Sequence, residues 1–170
     1  MQTFKIILAV VVGIPLLVVA VFWLLGFDKL WTLIAGPSDM GAVDFATFSK
    51  TAKPNQHLVC PQDFCRNQTP DEISKIYALP ANELSEEFLK SLKNERDLEQ
   101  VGQDMPQLRF VQRTAKMRYP DTIRVEFIPV TENTSSLAIY SQSQIGYRDF
   151  GVNRARVTRW LKRLEEFEAN

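Results

Sequence analysis

The stretch VNRARVTRWLKRLEEF, residues 152–167, is the most clearly patterned element outside the N-terminal region of this 170-residue chain. Its apolar side chains recur three or four positions apart: Val157, Trp160, Leu161, Leu164 and Phe167. This spacing predicts an amphipathic helix with one face packed on a core. Asn153 is predicted to be its N-cap, because an asparagine side chain accepts hydrogen bonds from free amides at a helix start.

Three segments upstream of this helix predict the strands of an antiparallel meander. They span residues 108–115, 122–130 and 137–145. In the middle segment, apolar and charged residues alternate: Ile123, Val125 and Phe127 against Arg124 and Glu126. Alternation of this kind is typical of a half-buried strand, and short polar connections favour antiparallel pairing. The C-terminal helix is expected to cover the apolar face of the sheet.

Two shorter elements complete the predicted domain. Leu84, Phe88 and Leu92 form an apolar helix face after Pro80, and residues 76–79 are predicted to add a further strand. Because runs of strands and helices are segregated, the fold class is α+β. We expect an N-terminal transmembrane helix, then a small antiparallel sheet packed by the C-terminal amphipathic helix.

The N-terminal region contains the run IILAVVVGIPLLVVAVFWLLGF, residues 6–27, which has 22 residues and no charge. Such a helix reaches roughly 33 Å, enough for a hydrocarbon core of about 30 Å. A cleavable signal peptide is the alternative, but its apolar region is shorter, about 7–15 residues. We therefore predict an uncleaved anchor in a lipid bilayer, with a mild bend at Gly13 and Pro15.

These elements divide the chain into three parts: a transmembrane anchor (1–35), a polar tether (36–55) and a soluble α+β domain (56–170). Lys5 and the terminal amine precede the anchor, whereas Asp28 and Lys29 nearly cancel after it. Since positive charge favours the cytoplasmic side, the N-terminus is predicted to be cytoplasmic and the domain extracytoplasmic.

The formal net charge is zero, so composition does not indicate a nucleic-acid partner. The charges are nevertheless unevenly distributed. Residues 71–104 include nine acidic and four basic residues, whereas residues 109–163 include eleven basic and four acidic ones. The favoured interpretation is that the two regions meet each other. The alternative is a basic surface directed at anionic headgroups or a partner.

The two cysteines, Cys60 and Cys65, stand in the segment HLVCPQDFC, which is predicted to be a loop. An isolated pair in an extracytoplasmic domain favours a disulfide. Free thiols are one alternative, and a metal or redox site that includes His57 is another. The spacing matches no structural zinc pattern and no fourth ligand is evident, so we predict no metal site.

Catalytic patterns are sparse in the sequence. His57 is the only histidine, and the chain has no P-loop, no dinucleotide-binding fingerprint and no G-x-S-x-G motif. We therefore predict neither catalytic residues nor a cofactor, and the chain is not expected to be an enzyme.

The segment SQSQIGYRDFGVNRAR, residues 141–156, is the most unusual in composition. Arg148, Arg154 and Arg156 surround a predicted helix start and could together hold an anion. The favoured alternative is a structural lock, in which Asp149 accepts hydrogen bonds from loop amides and pairs with Arg156.

The same segment contains the pattern S-x-S-x-x-G-x-x-D-x-G-x-N-x-x-R. Its positions are Ser141, Ser143, Gly146, Asp149, Gly151, Asn153 and Arg156. With VDFATF, PNQHLVCPQDFC and RYPDTIRVEFIPV upstream, this pattern resembles a bacterial and plastid family, domain of unknown function 1499, over residues 43–164. The likeness extends to its membrane-anchored proteobacterial branch. Two departures from the family pattern are evident. Tyr140 and Gln144 stand where many members have arginine or lysine, and many members have an acidic pair near the positions of Thr122 and Ile123.

That family has no assigned activity, so the resemblance implies a fold and a placement. The placement is single-pass in a bacterial inner membrane, with the domain in the periplasm. Our interpretation is a non-enzymatic interaction or assembly module whose partner is a membrane or periplasmic protein of an envelope complex. One alternative is a small-anion or lipid-headgroup binding domain that uses the basic strand-to-helix corner. The second alternative is an unrecognised enzyme.

Overall fold

The computed structural model describes residues 2–102 and 107–169, apart from seven side chains of the N-terminal helix. Lys5, on which the predicted orientation rests, lies outside the described side chains. The helices are α1 (Gln2–Ala35), α2 (Ala81–Ser91) and α3 (Val152–Lys162), with a 3-10 turn at Glu165–Phe167. The strands are β1 (Gln56–Cys60), β2 (Glu72–Ile73), β3 (Leu98–Gly102), β4 (Gln107–Arg113), β5 (Pro120–Pro129) and β6 (Ser135–Ser143). The predicted α+β class is confirmed.

The strands form one six-stranded sheet in the order β2-β1-β6-β5-β4-β3. The predicted meander corresponds to β4, β5 and β6, which are antiparallel neighbours. The sheet is larger than predicted because β1 and β3 add to the free edges of β6 and β4. It is also mixed and not purely antiparallel as predicted, because β2 pairs with β1 in parallel. Residues 76–79 do not form the predicted strand, since Tyr77 makes only isolated bridges to Ser135 and Glu168.

Helices α2 and α3 pack on one face of the sheet, as the apolar stripes predicted. Phe88 of α2 and Trp160 of α3 are fully buried, and their rings meet edge to face with centroids 5.9 Å apart. Phe110 of β4 lies 6.1 Å from the same indole ring. Aromatic pairs in this geometry contribute about 0.5–1.5 kcal/mol each beyond the area that they bury.

The opposite face of the sheet is also covered, and residues 36–55 are therefore not the free tether that we predicted. Phe45 is fully buried against Leu58 and Tyr140 on this face. Nearby, Arg124 Nε donates to the carbonyl of Gly41 over 2.6 Å. The alternation in β5 predicted that Arg124 faces solvent, yet burial by this segment lowers the pKa of its guanidinium.

The predicted disulfide is present and joins Cys60 to Cys65. Both residues are buried, and they pack with Phe45 in the cluster on the face opposite the helices. Only Cys65 lies in a loop, because Cys60 is the last residue of β1. The bond therefore fixes the chain where it leaves the sheet.

Helix α1 is bent, and Gly26 has non-helical dihedral angles (φ 71°, ψ 162°). Among the residues that the structure describes, no single straight helix is both long and apolar enough to cross a bilayer. The segments Val10–Val21 and Leu24–Ala35 satisfy that test only together, and they meet at an angle of 92°. The main bend is thus not at Gly13 and Pro15, because Gly26 readily adopts a positive φ.

The acidic and basic regions of the sequence meet in the fold, as the favoured interpretation expected. Glu95, after α2, accepts hydrogen bonds from Arg159 over 2.5 Å and from Arg163 over 2.7 Å. Burial alone raises the pKa of Glu95, but hydrogen bonds from Arg159, Arg163 and Gln112 outweigh it and bring the pKa to about 2. This carboxylate links the end of α2 to α3.

We expect Glu95→Gln to lower the melting temperature of the detergent-solubilised protein at neutral pH, because two arginines lose their anionic partner. The folded-state pKa lies below the ordinary value, so the stabilisation is complete above about pH 4.5 and is lost as the pH falls towards 2. The melting temperatures of the two proteins should therefore converge over that range. Glu86→Gln, which alters an exposed residue of α2, is the control.

Candidate functional site

The segment between β6 and α3, residues 144–151, is called the corner loop below. Helix α3 begins at Val152, and its N-cap is Gly151 with φ +82°, so the prediction that Asn153 is the N-cap was wrong. Asp149 supplies the capping carboxylate instead. Its oxygens accept the amide hydrogens of Gly151 over 3.1 Å and of Asn153 over 2.8 Å.

Asn153 has a different position because its side chain turns into the domain, where it is completely buried. Its amide nitrogen donates to the carbonyl of Asn55 over 3.0 Å, to Ser143 Oγ over 3.0 Å and to Asp149 Oδ2 over 2.8 Å. Its carbonyl oxygen accepts from Ser141 Oγ over 2.6 Å. One side chain of α3 thus joins the residue before β1, strand β6 and the corner loop.

Arg156 lies one turn further along α3, and its side chain is almost fully buried. Its Nη2 donates to Asp121 Oδ2 over 2.5 Å, and its Nε donates to Gln112 Oε1 over 2.5 Å. Its Nη1 donates to Ser141 Oγ and Asn153 Oδ1. The acid that pairs with Arg156 is therefore Asp121, and the predicted Asp149–Arg156 pair was wrong.

Sequence reasoning missed Asp121 because the predicted strand starts at residue 122, whereas β5 already begins at Pro120. A usable signal was present. Asp121 lies two residues before Ile123 on the helix-facing side of β5, and Gln112 lies two residues after Phe110 on β4. A polar residue that lies two positions from the last buried apolar residue of a strand is on the same face of the sheet, and such residues mark a buried polar site.

Asn55, placed in the predicted tether, is a second residue that the sequence did not reveal. It is buried, and its amide nitrogen donates to the carbonyls of Ser143 over 3.1 Å and of Gly146 over 2.9 Å. Gly146 has φ +93°, a backbone conformation that favours glycine. Asn55 therefore holds the start of the corner loop, as Asp149 holds its end.

All seven residues of the sequence motif belong to this corner. Ser141, Ser143, Asn153 and Arg156 are buried and hydrogen-bonded to one another, whereas Gly146, Asp149 and Gly151 shape the corner loop. A buried arginine and asparagine are tolerated only where their donors and acceptors are satisfied. The motif residues accordingly fix the corner loop in position at the end of the sheet.

The three arginines that were candidates for an anion site do not converge. Arg156 is buried and hydrogen-bonded within the network, whereas Arg148 and Arg154 are exposed and line different clefts. Arg148 lines a largely apolar cleft of about 340 Å³ with Tyr119, Ile145 and Phe150. A single anion site built from all three guanidinium groups is thus not formed.

Arg154 lines a polar cleft of about 440 Å³ that also contains Lys50, Asp71 and His57. The ring of His57 is buried, with Nδ1 3.9 Å from Asp71 Oδ2 and Nε2 3.8 Å from Glu72 Oε2. Burial lowers the pKa of His57 despite these carboxylates, and Arg154 lowers it further. The imidazole of His57 is therefore held in its neutral form inside the fold, where Ser141 is its partner across the β1–β6 strand pair.

We expect Asp121→Asn to lower the melting temperature of the full-length protein in detergent far more than Asp149→Asn. Without Asp121, Arg156 is a buried cation with no anionic partner, a loss of roughly 3–5 kcal/mol. An asparagine at position 149 still offers an oxygen to the helix amides, so that loss should be about 1 kcal/mol.

The two variants are matched controls, because the same chemical change is made at two carboxylates of one corner. Differential scanning calorimetry of both proteins measures the comparison. Equal losses, or a larger loss for Asp149→Asn, would show that the corner does not depend on the Arg156–Asp121 pair.

The comparisons with known proteins identify a family for this chain. No curated protein matches the chain. A family model described as a protein of unknown function, DUF1499, matches residues 48–164 and thus includes the whole motif. Since the match covers well over half of the sequence, the chain belongs to the DUF1499 family.

Proposed function

We propose that the chain is a single-pass membrane protein whose domain is a non-enzymatic interaction or assembly module. The domain is held in a fixed orientation relative to the bilayer surface. The observation that carries this proposal is that the second half of α1, Leu24–Ala35, docks on the sheet domain. A simple tether would make no such contacts. The uncharged residues 6–25 before the bend would rise roughly 30 Å, enough to cross the hydrocarbon core.

Three kinds of contact dock the second half of α1. The carboxylate of Asp28 accepts from Arg118 Nε over 3.0 Å and from Arg118 Nη2 over 2.9 Å. The indole of Trp31 donates to the carbonyl of Met117 over 2.6 Å, and its ring lies 4.8 Å from that of Tyr119. At the helix end, Gln144 Nε2 donates to the carbonyl of Ala35 over 3.0 Å.

The same half-helix leaves apolar side chains uncovered: Leu24, Leu33 and Ile34 are 83%, 73% and 65% exposed. A helix with one polar, docked side and one exposed apolar side suits a position in the plane of a membrane interface. The 92° angle between the halves of α1 is consistent with a first half across the bilayer and a second half along its surface. The proposed geometry therefore accounts for both exposed apolar segments.

The periplasm of a bacterial inner-membrane protein is the proposed location of the domain. The Cys60–Cys65 disulfide supports an oxidising compartment. The interaction role is supported by the corner loop, because buried polar groups hold this exposed loop in one conformation. Within residues 2–102 and 107–169, no group of three or more His, Cys, Asp or Glu side chains could hold a metal ion. The partner proposed here is a membrane or periplasmic protein of the envelope.

Reporter fusions at the C-terminus test the placement. We expect alkaline phosphatase fused after residue 170 to be active in cells, and a green fluorescent protein at the same site to stay dark. The intact mass of the purified protein should include residues 1–27. A fluorescent fusion would contradict the orientation, and a mature N-terminus beyond residue 27 would contradict the anchor.

Trp31→Ala tests the docking of the half-helix. Losing the ring contact and the hydrogen bond to Met117 should raise amide exchange in residues 28–37 roughly tenfold or more in lipid nanodiscs. Ile73→Ala, which truncates an exposed apolar residue of the edge strand β2, is the control and should leave the exchange rates of residues 28–37 unchanged. Hydrogen–deuterium exchange mass spectrometry measures both, and equal rates in the wild type and Trp31→Ala would rule out the docked arrangement.

A further inference from the structure

The corner loop presents an aromatic surface that the fold itself does not use. Phe150 is 95% exposed and Tyr147 is 62% exposed, and Val152 at the start of α3 is exposed beside them. Single exposed apolar residues are common, but two aromatic side chains exposed within four residues of one loop indicate an interaction surface.

The exposure of Phe150 is imposed by the backbone. Phe150 has φ +54°, in the left-handed region that bulky residues rarely adopt. The residues on both sides are fixed, because Asp149 binds the amides of Gly151 and Asn153, and Asn55 binds the carbonyl of Gly146. The buried network thus fixes the loop conformation that directs the phenyl ring of Phe150 towards solvent.

This surface is continuous with the docked half of α1. Tyr119 lines the apolar cleft together with Phe150, and its ring also lies against that of Trp31. Gln144, the first residue of the corner loop, donates to the carbonyls of Ala35 and Pro37. The exposed phenyl ring and the exposed apolar side of the half-helix therefore belong to the same end of the sheet.

The exposed charges near the loop have the sign that anionic headgroups attract. Arg148 lies two residues before Phe150, Arg154 lies in the first turn of α3, and Lys116 lies in the turn between β4 and β5. All three side chains are exposed. Aromatic rings at headgroup level, flanked by basic residues, are the composition that membrane interfaces favour.

We propose that the corner loop enters the bilayer interface, with the ring of Phe150 among the upper acyl chains and Arg148 at the level of anionic headgroups. The inference deepens the proposed function and rests on the membrane placement given there. The buried motif then has a direct consequence: it sets the depth and tilt of the domain on the membrane by holding one loop at a fixed angle.

Spin labelling of the full-length protein in nanodiscs tests this inference. Both native cysteines form a disulfide, so a single introduced cysteine is the only thiol to be labelled. The variants are Phe150→Cys, Leu17→Cys in the proposed span, and Val130→Cys as the control, an exposed apolar residue after the opposite end of β5. The nanodiscs contain phosphatidylethanolamine with phosphatidylglycerol, or phosphatidylcholine alone.

We expect nitroxides at positions 150 and 17 to be relaxed more by oxygen than by a water-soluble nickel chelate, and the nitroxide at position 130 to show the reverse. The label at position 150 should lie deeper in the anionic nanodiscs, and Arg148→Gln should remove that difference between the lipids. A deep label at position 17 with labels at 150 and 130 equally accessible to nickel would overturn the inference and leave the anchor intact. Accessibility to nickel at all three positions would overturn the proposed membrane placement itself.

Discussion

The buried guanidinium of Arg156 is the constraint on which the rest of the corner depends. A cation removed from water has to be paired and hydrogen-bonded, and only the convergence of several elements achieves this. Asp121 supplies the charge from β5, Gln112 an oxygen from β4, and Asn153 an oxygen from α3 itself. The direction in which α3 crosses the sheet is therefore tied to polar groups at one end of three strands.

The consequence of this arrangement is a loop with little freedom. The side chain of Asn153 donates to the carbonyl of Asn55 and to Ser143 Oγ, and that of Asn55 donates to the carbonyl of Ser143, so the corner loop begins and ends on fixed atoms. A flexible loop could not hold Phe150 at a positive φ with its ring in solvent, because that conformation is unfavourable unless the surroundings impose it. The buried polar network thus fixes the position of the exposed apolar side chain of Phe150.

The N-terminal segments pack on parts of the sheet domain that helices α2 and α3 leave uncovered. Residues 38–48 cover the face of the sheet opposite the helices, and the half-helix before them docks on the turn between β4 and β5. Because the chain runs directly from one to the other, helix α1 and the sheet domain are not structurally independent. The rings of Trp31 and Tyr119 join α1 to the segment between β4 and β5, and Gln144 joins the end of α1 to the corner loop.

The sequence by itself determined the class of the fold, the helices α2 and α3 and the strands β4 to β6, since periodicity is a local property that short segments display. It also indicated the disulfide, because the two cysteines are close in the chain, and the family, because the motif is contiguous. Tertiary structure alone decided that Asp121 pairs with Arg156, that Asn55 holds the corner loop and that residues 38–48 cover Arg124. Each of these contacts joins residues more than thirty positions apart, and their geometry depends on strand register, which no local pattern records.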